Sequence, residues 1–112
     1  MNVRKLTQDE FNYCWYIEYG APYHYIATPP MIGQVIKTLI ADGICIQLPN
    51  PTLEKSPLYT RFTKEGRMLF LAHEWLMFFR HPSELEGMTY EEYMVGYDVV
   101  ATYEDMTAKL GV

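Results

Sequence analysis

Between Thr7 and Gly20, the hydrophobic residues recur at helical spacing. Thr7 and Glu10 have the spacing of a capping box, in which the hydroxyl and the carboxylate each bind a backbone N–H of the first turn. Apolar residues then follow every three or four positions until Gly20. This pattern predicts a helix that begins at Thr7 and ends before Gly20. Its predicted buried face consists of Phe11, Cys14 and Trp15, with Tyr19 as a further candidate.

A second amphipathic pattern begins at Thr28-Pro29-Pro30, because Thr can cap a helix and proline is favoured in the first turn. The spacing of the apolar residues predicts a helix from Pro30 to Asp42. Gly43 predicts the end of that helix. The apolar stripe is Met31, Ile32, Val35, Ile36, Leu39 and Ile40, and the opposite face carries Gln34, Lys37, Thr38 and Ala41.

A β-rich region follows this helix. Residues 44–48 are mostly apolar and β-branched, Pro49 predicts the end of the strand, and residues 58–62 predict a return strand. The Pro-rich loop between them completes a hairpin. Thr63 then opens a helix that extends to Phe79 and is apolar on most faces, which predicts more than one packing neighbour. The aromatic segment 23–27 fits either a short strand or an extended link.

The C-terminal part predicts two further helices. Thr89 can cap the first, and Glu91 and Glu92 lie in its first turn, where the helix dipole favours negative charge. Apolar spacing predicts the second helix over Thr102–Leu110. Because acidic residues surround the tyrosines of this region, we expect those side chains in the core and not as a platform for stacked bases. They are Tyr90, Tyr93, Tyr97 and Tyr103.

A length of 112 residues is that of a single domain. We expect a helix and link over 1–28, a recognition-type helix, hairpin and long helix over 29–80, and an acidic, Tyr-rich helical tail over 81–112. The predicted fold class is α+β and mostly helical. Cys14 and Cys45 lie in apolar runs, which predicts buried free thiols. The absence of a long apolar stretch predicts a cytoplasmic protein without a membrane span.

Two motifs in the middle of the chain resemble the winged helix-turn-helix of MarR-type and PadR-type regulators. In the first, VIKTLIADGICI over 35–46, a helix ends in glycine before an apolar strand, as is characteristic of those families. In the second, YTRFTKEGR over 59–67, a strand leads into a Thr-x-x-Gly-Arg helix start. The resemblance covers residues 29–80. It implies a winged helix with a two-stranded wing hairpin and additional C-terminal helices.

This resemblance also implies a function, because such proteins bind duplex DNA as transcriptional regulators and often dimerise. The helix matching residues 30–42 would enter the major groove, where outward-facing donors read base edges. We therefore expect a DNA-binding homodimer. The implied contacts are Gln34, Lys37 and Thr38 in the groove, Thr28 and Arg61 at the DNA backbone, and Lys55 at the wing tip.

The charge of the chain is divided unevenly. Its formal net charge of −5 argues against phosphate binding by the molecule as a whole. Residues 1–70 hold seven basic and six acidic residues, whereas residues 71–112 hold two basic and eight acidic residues. The stretch 31–67 holds five basic and three acidic residues, so it permits DNA binding. Arg67 can serve structurally in this stretch by pairing with Glu65 or with a C-terminal carboxylate.

The acidic tail supports a second interpretation, in which the protein is an interaction module. Its acidic, aromatic surface would bind a protein partner with a basic surface, such as a nucleic-acid-handling complex. The protein would then act as an inhibitor of that complex, as small phage or mobile-element inhibitors do. The candidate residues for this function are Tyr90, Glu91, Glu92, Tyr93, Tyr97, Glu104 and Asp105.

No arrangement of residues in the sequence predicts catalysis. His73-Glu74 begins like the zinc-binding helix of a metalloprotease, but Met77 stands where the second histidine must be. His24 and His81 are too distant in sequence to complete a metal-ligand pattern. We therefore expect a protein that is not an enzyme and that needs no metal or cofactor.

Overall fold

The computed structural model describes residues 1–20, 32–49, 58–79 and 90–110, which form five helices and one hairpin. The fold is α+β and mostly helical with a two-stranded antiparallel sheet, so the predicted fold class is confirmed at that level. The segment 23–27, the hairpin loop and the caps Thr28 and Thr89 lie outside the described residues. The elements are α1 (Gln8–Tyr19), α2 (Ile32–Ala41), β1 (Cys45–Pro49), β2 (Leu58–Phe62), α3 (Lys64–Phe79), α4 (Tyr90–Met94) and α5 (Val99–Leu110).

Local signals fix both ends of α1. The Thr7 hydroxyl accepts a hydrogen bond from the Glu10 N–H at 3.2 Å, and the Glu10 carboxylate accepts one from the Thr7 N–H at 2.9 Å. This confirms the predicted capping box. Gly20 has a φ of 72° and its N–H donates to the Tyr16 carbonyl, so the helix ends where the sequence predicts.

The end of α2 turns the chain into the hairpin. Gly43 has a φ of 73°, a conformation that glycine adopts without a steric penalty. Its N–H donates to the Ile40 carbonyl at 3.0 Å, and the Ile44 N–H donates to the Leu39 carbonyl at 2.9 Å. These two bonds form a Schellman motif, which confirms the predicted helix end at Gly43.

The hairpin pairs its strands in a register that runs from Cys45 opposite Phe62 to Pro49 opposite Leu58. The predicted return strand is confirmed, but β1 begins one residue later than predicted because the cap of α2 includes Ile44. Ile44 is fully buried there.

Thr63 links the hairpin to α3. Its hydroxyl accepts a hydrogen bond from the Gly66 N–H at 3.0 Å, which confirms the predicted N-cap. Its own N–H donates to the Ile44 carbonyl at 3.1 Å. The helix that follows packs against α1, α5 and β2, which explains why most of its faces are apolar.

The core lies between α1, α3 and the base of the hairpin. Phe11 is fully buried, and its ring lies 5.5 Å from that of Phe70, which itself lies 5.6 Å from the ring of Phe62. Two residues expected in the core are instead at the surface: Tyr19 is 51% exposed and Ile40 is 36% exposed. Both stand at the edge of their helical stripes, where the neighbouring elements no longer cover them. Cys14 and Cys45 are buried free thiols, as predicted.

Residues 2–6 connect distant elements. The Asn2 N–H donates to the Asp42 carbonyl, the Lys5 ammonium donates to the Met94 carbonyl, and the Leu6 N–H donates to His73 Nε2, each at 2.8 Å. Leu6 is almost fully buried. The extended N-terminal segment therefore ties the end of α2 to α3 and α4.

Helix α5 packs against α3. Helix α5 begins three residues before the predicted start, because the Asp98 carboxylate caps it by accepting from the Ala101 N–H at 3.0 Å. The core packing expected of the tyrosines is confirmed for Tyr90, Tyr97 and Tyr103. No helix in the described parts of the chain has the length and apolar character needed to cross a membrane.

Candidate nucleic-acid interface

One side of α2 is covered by the core and the other is open. Val35 and Leu39 are buried, whereas the residues on the opposite side are all exposed. We call these exposed residues the α2 face. It consists of Gly33, Gln34, Lys37, Ile40 and Ala41. Gln34 and Lys37 thus have the exposure expected of residues that contact a partner.

Thr38 is the exception among the predicted groove residues, and its placement corrects the expectation that it faces outward. Its side chain is half-buried, and its hydroxyl lies 2.8 Å from both the Glu10 Oε2 and the Val35 carbonyl oxygen. A hydroxyl donates a single proton, so these two acceptors share it. Thr38 therefore serves the packing of α2 against α1.

Glu10 is the buried charge of this region. It is 3% exposed, and the Arg4 guanidinium holds it through two hydrogen bonds of 2.8 and 2.6 Å. The Arg4 Nε also donates to Asp42 Oδ2 at 2.5 Å. Burial alone would raise the pKa of Glu10, but the hydrogen bonds from Arg4, the Thr7 N–H and Thr38 lower it to about 2. The sequence identifies Glu10 only as a helix cap, because nothing local shows that Arg4 returns to it.

A shallow hollow of about 450 Å³ separates α2 from α1 beside Gln34. Its walls contain three carboxylates, those of Asp9, Glu10 and Asp42, and one guanidinium, that of Arg4. The side of the α2 face that borders α1 is therefore unfavourable to a phosphate group.

The other side of α2 leads to the hairpin and to cationic side chains. Arg61 lies opposite Ile46 in the sheet register and is exposed, and Lys64 is exposed at the start of α3. Arg67 forms a bidentate pair with Glu18, at 2.8 Å from Nη2 to Oε1 and 3.0 Å from Nε to Oε2. Glu18 is thus the partner of Arg67, which corrects the expected pairing with Glu65 or a C-terminal carboxylate.

A groove of about 790 Å³ lies between α1, α2, the hairpin and the start of α3. We call it the interhelical groove. Tyr13 and Tyr16 form its wall on α1, and Ile36 is the α2 residue in its lining. Burial raises the pKa of the Tyr13 phenol. Cationic side chains surround the opening; they are Arg61, Lys64 and Arg67.

The described carboxylates of the acidic tail, which lie on α4, on α5 and at Asp98, are exposed. Among the described residues, Lys109 is the one base paired with them, at 3.0 Å from Asp105. The exposed acids are Glu91, Glu92, Asp98, Glu104 and Asp105.

Tyr90 does not belong to this acidic surface, which corrects its place among the candidate partner contacts. Its ring stacks on Phe11 at 5.4 Å and its hydroxyl donates to the Leu6 carbonyl at 2.8 Å. Tyr97 is likewise half-buried against the core. The side chain of Tyr93 lies outside the described residues, as do the predicted DNA contacts Thr28 and Lys55.

Two surfaces of opposite charge therefore lie on different parts of the chain. Lys37, Arg61 and Lys64 are exposed around α2 and the hairpin, and carboxylates are exposed on α4 and α5. No protein-family model, curated protein or solved structure matches this chain. The function must be inferred from these side chains and their contacts.

His73 is a structural residue of the core. It is fully buried, its Nε2 accepts a hydrogen bond from the Leu6 N–H, and its Nδ1 lies 2.8 Å from the Leu69 carbonyl. Because Nε2 accepts, the ring is neutral and Nδ1 carries the proton. Burial lowers the pKa of His73 to about 4. Among the described residues no group of three potential ligands could hold a metal ion.

Proposed function

We propose that this protein binds duplex DNA through the α2 face and the hairpin, as a winged-helix regulator of transcription. The observation that carries this proposal is an uncovered helix face with an exposed cation, Lys37, next to a hairpin that exposes Arg61. A helix of this kind fits the major groove, and Gln34 and Lys37 are hydrogen-bond donors suited to base edges.

The engagement of nearby acids by arginines of the same chain supports this proposal. Arg4 pairs with both Glu10 and Asp42, and Arg67 pairs with Glu18, so three carboxylates close to α2 are engaged within the chain. Among the described residues, no carboxylate forms an ion pair with Lys37. The duplex would approach from the side of Lys37 and the hairpin, because the hollow beside Gln34 is acidic.

Few cations contribute, so one copy would bind weakly and with a shallow dependence on salt. A homodimer would double the number of phosphate contacts and would place two α2 helices in successive major grooves. We therefore expect a dimer as the active form.

The experiment is a fluorescence-anisotropy titration of a random-sequence duplex at low ionic strength. We expect the wild-type protein to bind and Lys37→Glu to abolish binding. The matched control is Lys109→Glu, which makes the same charge change on α5, far along the chain and among acids. Absence of wild-type binding at low salt would overturn the proposal, as would equal binding by the two variants.

A second function is favoured by the exposed acids of α4 and α5. Val95, next to Glu91 and Glu92 in the chain, is 79% exposed, so this surface is not purely acidic. This surface suits a protein partner with a basic groove, such as a nucleic-acid-handling complex. A pull-down should then lose its partner when Glu91, Glu92, Glu104 and Asp105 are changed to lysine. Retention of the same partner by that variant would exclude this function.

A further inference from the structure

The interhelical groove has the size and the mixed character of a small-molecule site. Its volume of about 790 Å³ lies within the range of ligand pockets in proteins. The described residues of its lining come from α1, α2, the hairpin and the start of α3, so its shape depends on the packing of these elements.

One wall of the groove offers a planar aromatic surface. Tyr16 lies on α1 with its side chain 53% exposed, and Ile36 of α2 supplies an apolar surface in the same lining. An aromatic ring gains free energy by stacking on such a tyrosine, and every nucleobase has a suitable face.

The opening of the groove carries an excess of positive charge. Among the described residues, three cationic side chains and one carboxylate line the groove, and that carboxylate, Glu18, is held by Arg67 through a bidentate pair. Lys64 stands at the same opening, and among the described residues no carboxylate forms an ion pair with it. The charge of these side chains therefore favours an anionic ligand, and the Lys64 ammonium is suited to bind a phosphate group.

The strand side of the groove carries hydrogen-bonding groups. Gln47 and Thr60 lie opposite each other in the sheet register, and both belong to the lining. The Gln47 side-chain amide both donates and accepts hydrogen bonds, so it can pair with the polar edge of a base.

We propose that the interhelical groove binds a nucleotide, with the base stacked on Tyr16 and the phosphate held by Lys64. Both a free nucleoside monophosphate and one unit of a single strand have this chemistry. The groove shares Arg61 with the proposed duplex-binding surface, but Lys64 lines the groove and Lys37 lies on the α2 face, so variants of these two lysines test the two proposals separately.

The test is a calorimetric titration with thymidine monophosphate. A second titration, monitored by the NMR chemical shifts of the Ile36 methyl groups, reports whether the ligand binds in the groove. We expect saturable binding, with thymidine and inorganic phosphate each at least about tenfold weaker because each supplies only half of the contacts. Lys64→Glu should lower the affinity at least about tenfold. This variant retains the fold, since a carboxylate in the first turn of α3 is favoured by the helix dipole. Lys109→Glu is the control for the charge change.

A second pair of variants tests the stacking wall. Tyr16→Ala should weaken binding about tenfold. Tyr19→Ala, on the same helix but outside the groove lining, should leave it unchanged. Lys37→Glu should also leave nucleotide binding intact, so that failure of this proposal and failure of duplex binding give different results.

A comparison of the affinities for thymidine monophosphate and for a short oligothymidylate shows whether the groove binds a free nucleotide or one unit of a single strand. If the strand binds more tightly than the monophosphate and loses affinity in Lys64→Glu, the groove takes one unit of a strand. If the monophosphate binds at least as tightly, the groove takes a free nucleotide. Absence of saturable binding at millimolar monophosphate overturns the proposal. It is also overturned if Lys64→Glu and Tyr16→Ala bind like their controls.

Discussion

The carbonyl oxygen of Ile44 lies so close to Gly66 that a Cβ on that residue would stand 1.8 Å from it. The same carbonyl accepts the Thr63 N–H, so one peptide group joins the end of α2 to the start of α3. The Thr-x-x-Gly element at 63–66 thus has a structural meaning in this chain: threonine caps the helix and glycine admits the neighbouring backbone.

This contact predicts that Gly66→Ala destabilises the protein by about 3 kcal/mol or more, because the obstacle is backbone that cannot rotate away. Gly33→Ala is the matched control. A Cβ there meets no atom within 4 Å, so the better helix propensity of alanine should stabilise the protein by about 0.5 kcal/mol. Urea unfolding of the two variants measures both effects. Equal stabilities would contradict the close packing at Gly66.

The Glu10–Arg4 pair and the Glu18–Arg67 pair should differ strongly in their contribution to stability. Glu10 is 3% exposed, so Glu10→Gln should lower the free energy of unfolding by about 3 kcal/mol, since it leaves Arg4 without its buried partner. Arg67 is 55% exposed in its side chain, so Glu18→Gln should cost less than about 1 kcal/mol. The folded pKa of Glu10 is depressed to about 2, so its contribution is present above pH 4.5 and is lost as the pH falls towards 2. Chemical denaturation at pH 7 and pH 3 measures this loss of stability. The free energy of unfolding of Glu10→Gln should fall by less than that of the wild type between these two pH values.

A separate acid-sensitive step is expected from His73. Its folded pKa of about 4 lies below its ordinary value of 6.5, so the unfolded chain takes up a proton first as the pH falls. Stability should therefore decrease by about 3 kcal/mol between pH 6.5 and pH 4 and level off below that range. His73→Gln, which keeps an acceptor for the Leu6 N–H, should remove this step. An unchanged pH profile in the variant would show that His73 does not titrate in this way.

Thr38 and Gln34 should separate stability from DNA binding, although both lie on α2. Thr38→Val should lower the free energy of unfolding by about 1 kcal/mol, because Glu10 loses one of its donors, and it should leave duplex affinity unchanged. Gln34→Ala should lower duplex affinity and leave the free energy of unfolding unchanged, since the Gln34 side chain is exposed on the α2 face. Thermal unfolding combined with duplex titration of both variants measures this. If the folded Thr38→Val variant lost duplex affinity, Thr38 would belong to the DNA interface after all.

The sequence predicts the ends of the elements well wherever a cap is local. Thr7 with Glu10, Gly43 and Thr63 each act within a few residues, so their geometry can be inferred from spacing alone. The later start of β1 and the earlier start of α5 were missed because Ile44 and Asp98 take part in caps next to the predicted segments.

The candidate site could be predicted only in part, because its decisive contacts join residues far apart in the chain. Exposure of Gln34 and Lys37 follows from helical periodicity. The engagement of Thr38 by Glu10 spans 28 positions and that of Arg67 by Glu18 spans 49, so no local pattern contains them. The interhelical groove needs four elements in their final places and has no sequence signature.

The N-terminal segment has a consequence for the order in which the chain acquires its structure during synthesis. Lys5 binds a carbonyl 89 positions later, and Leu6 binds a side chain 67 positions later. Because a chain leaves the ribosome N-terminus first, residues 2–6 remain without these partners until α3 and α4 have emerged. Residues 2–6 are therefore made before α3 and α4 but form these hydrogen bonds only after both helices are available.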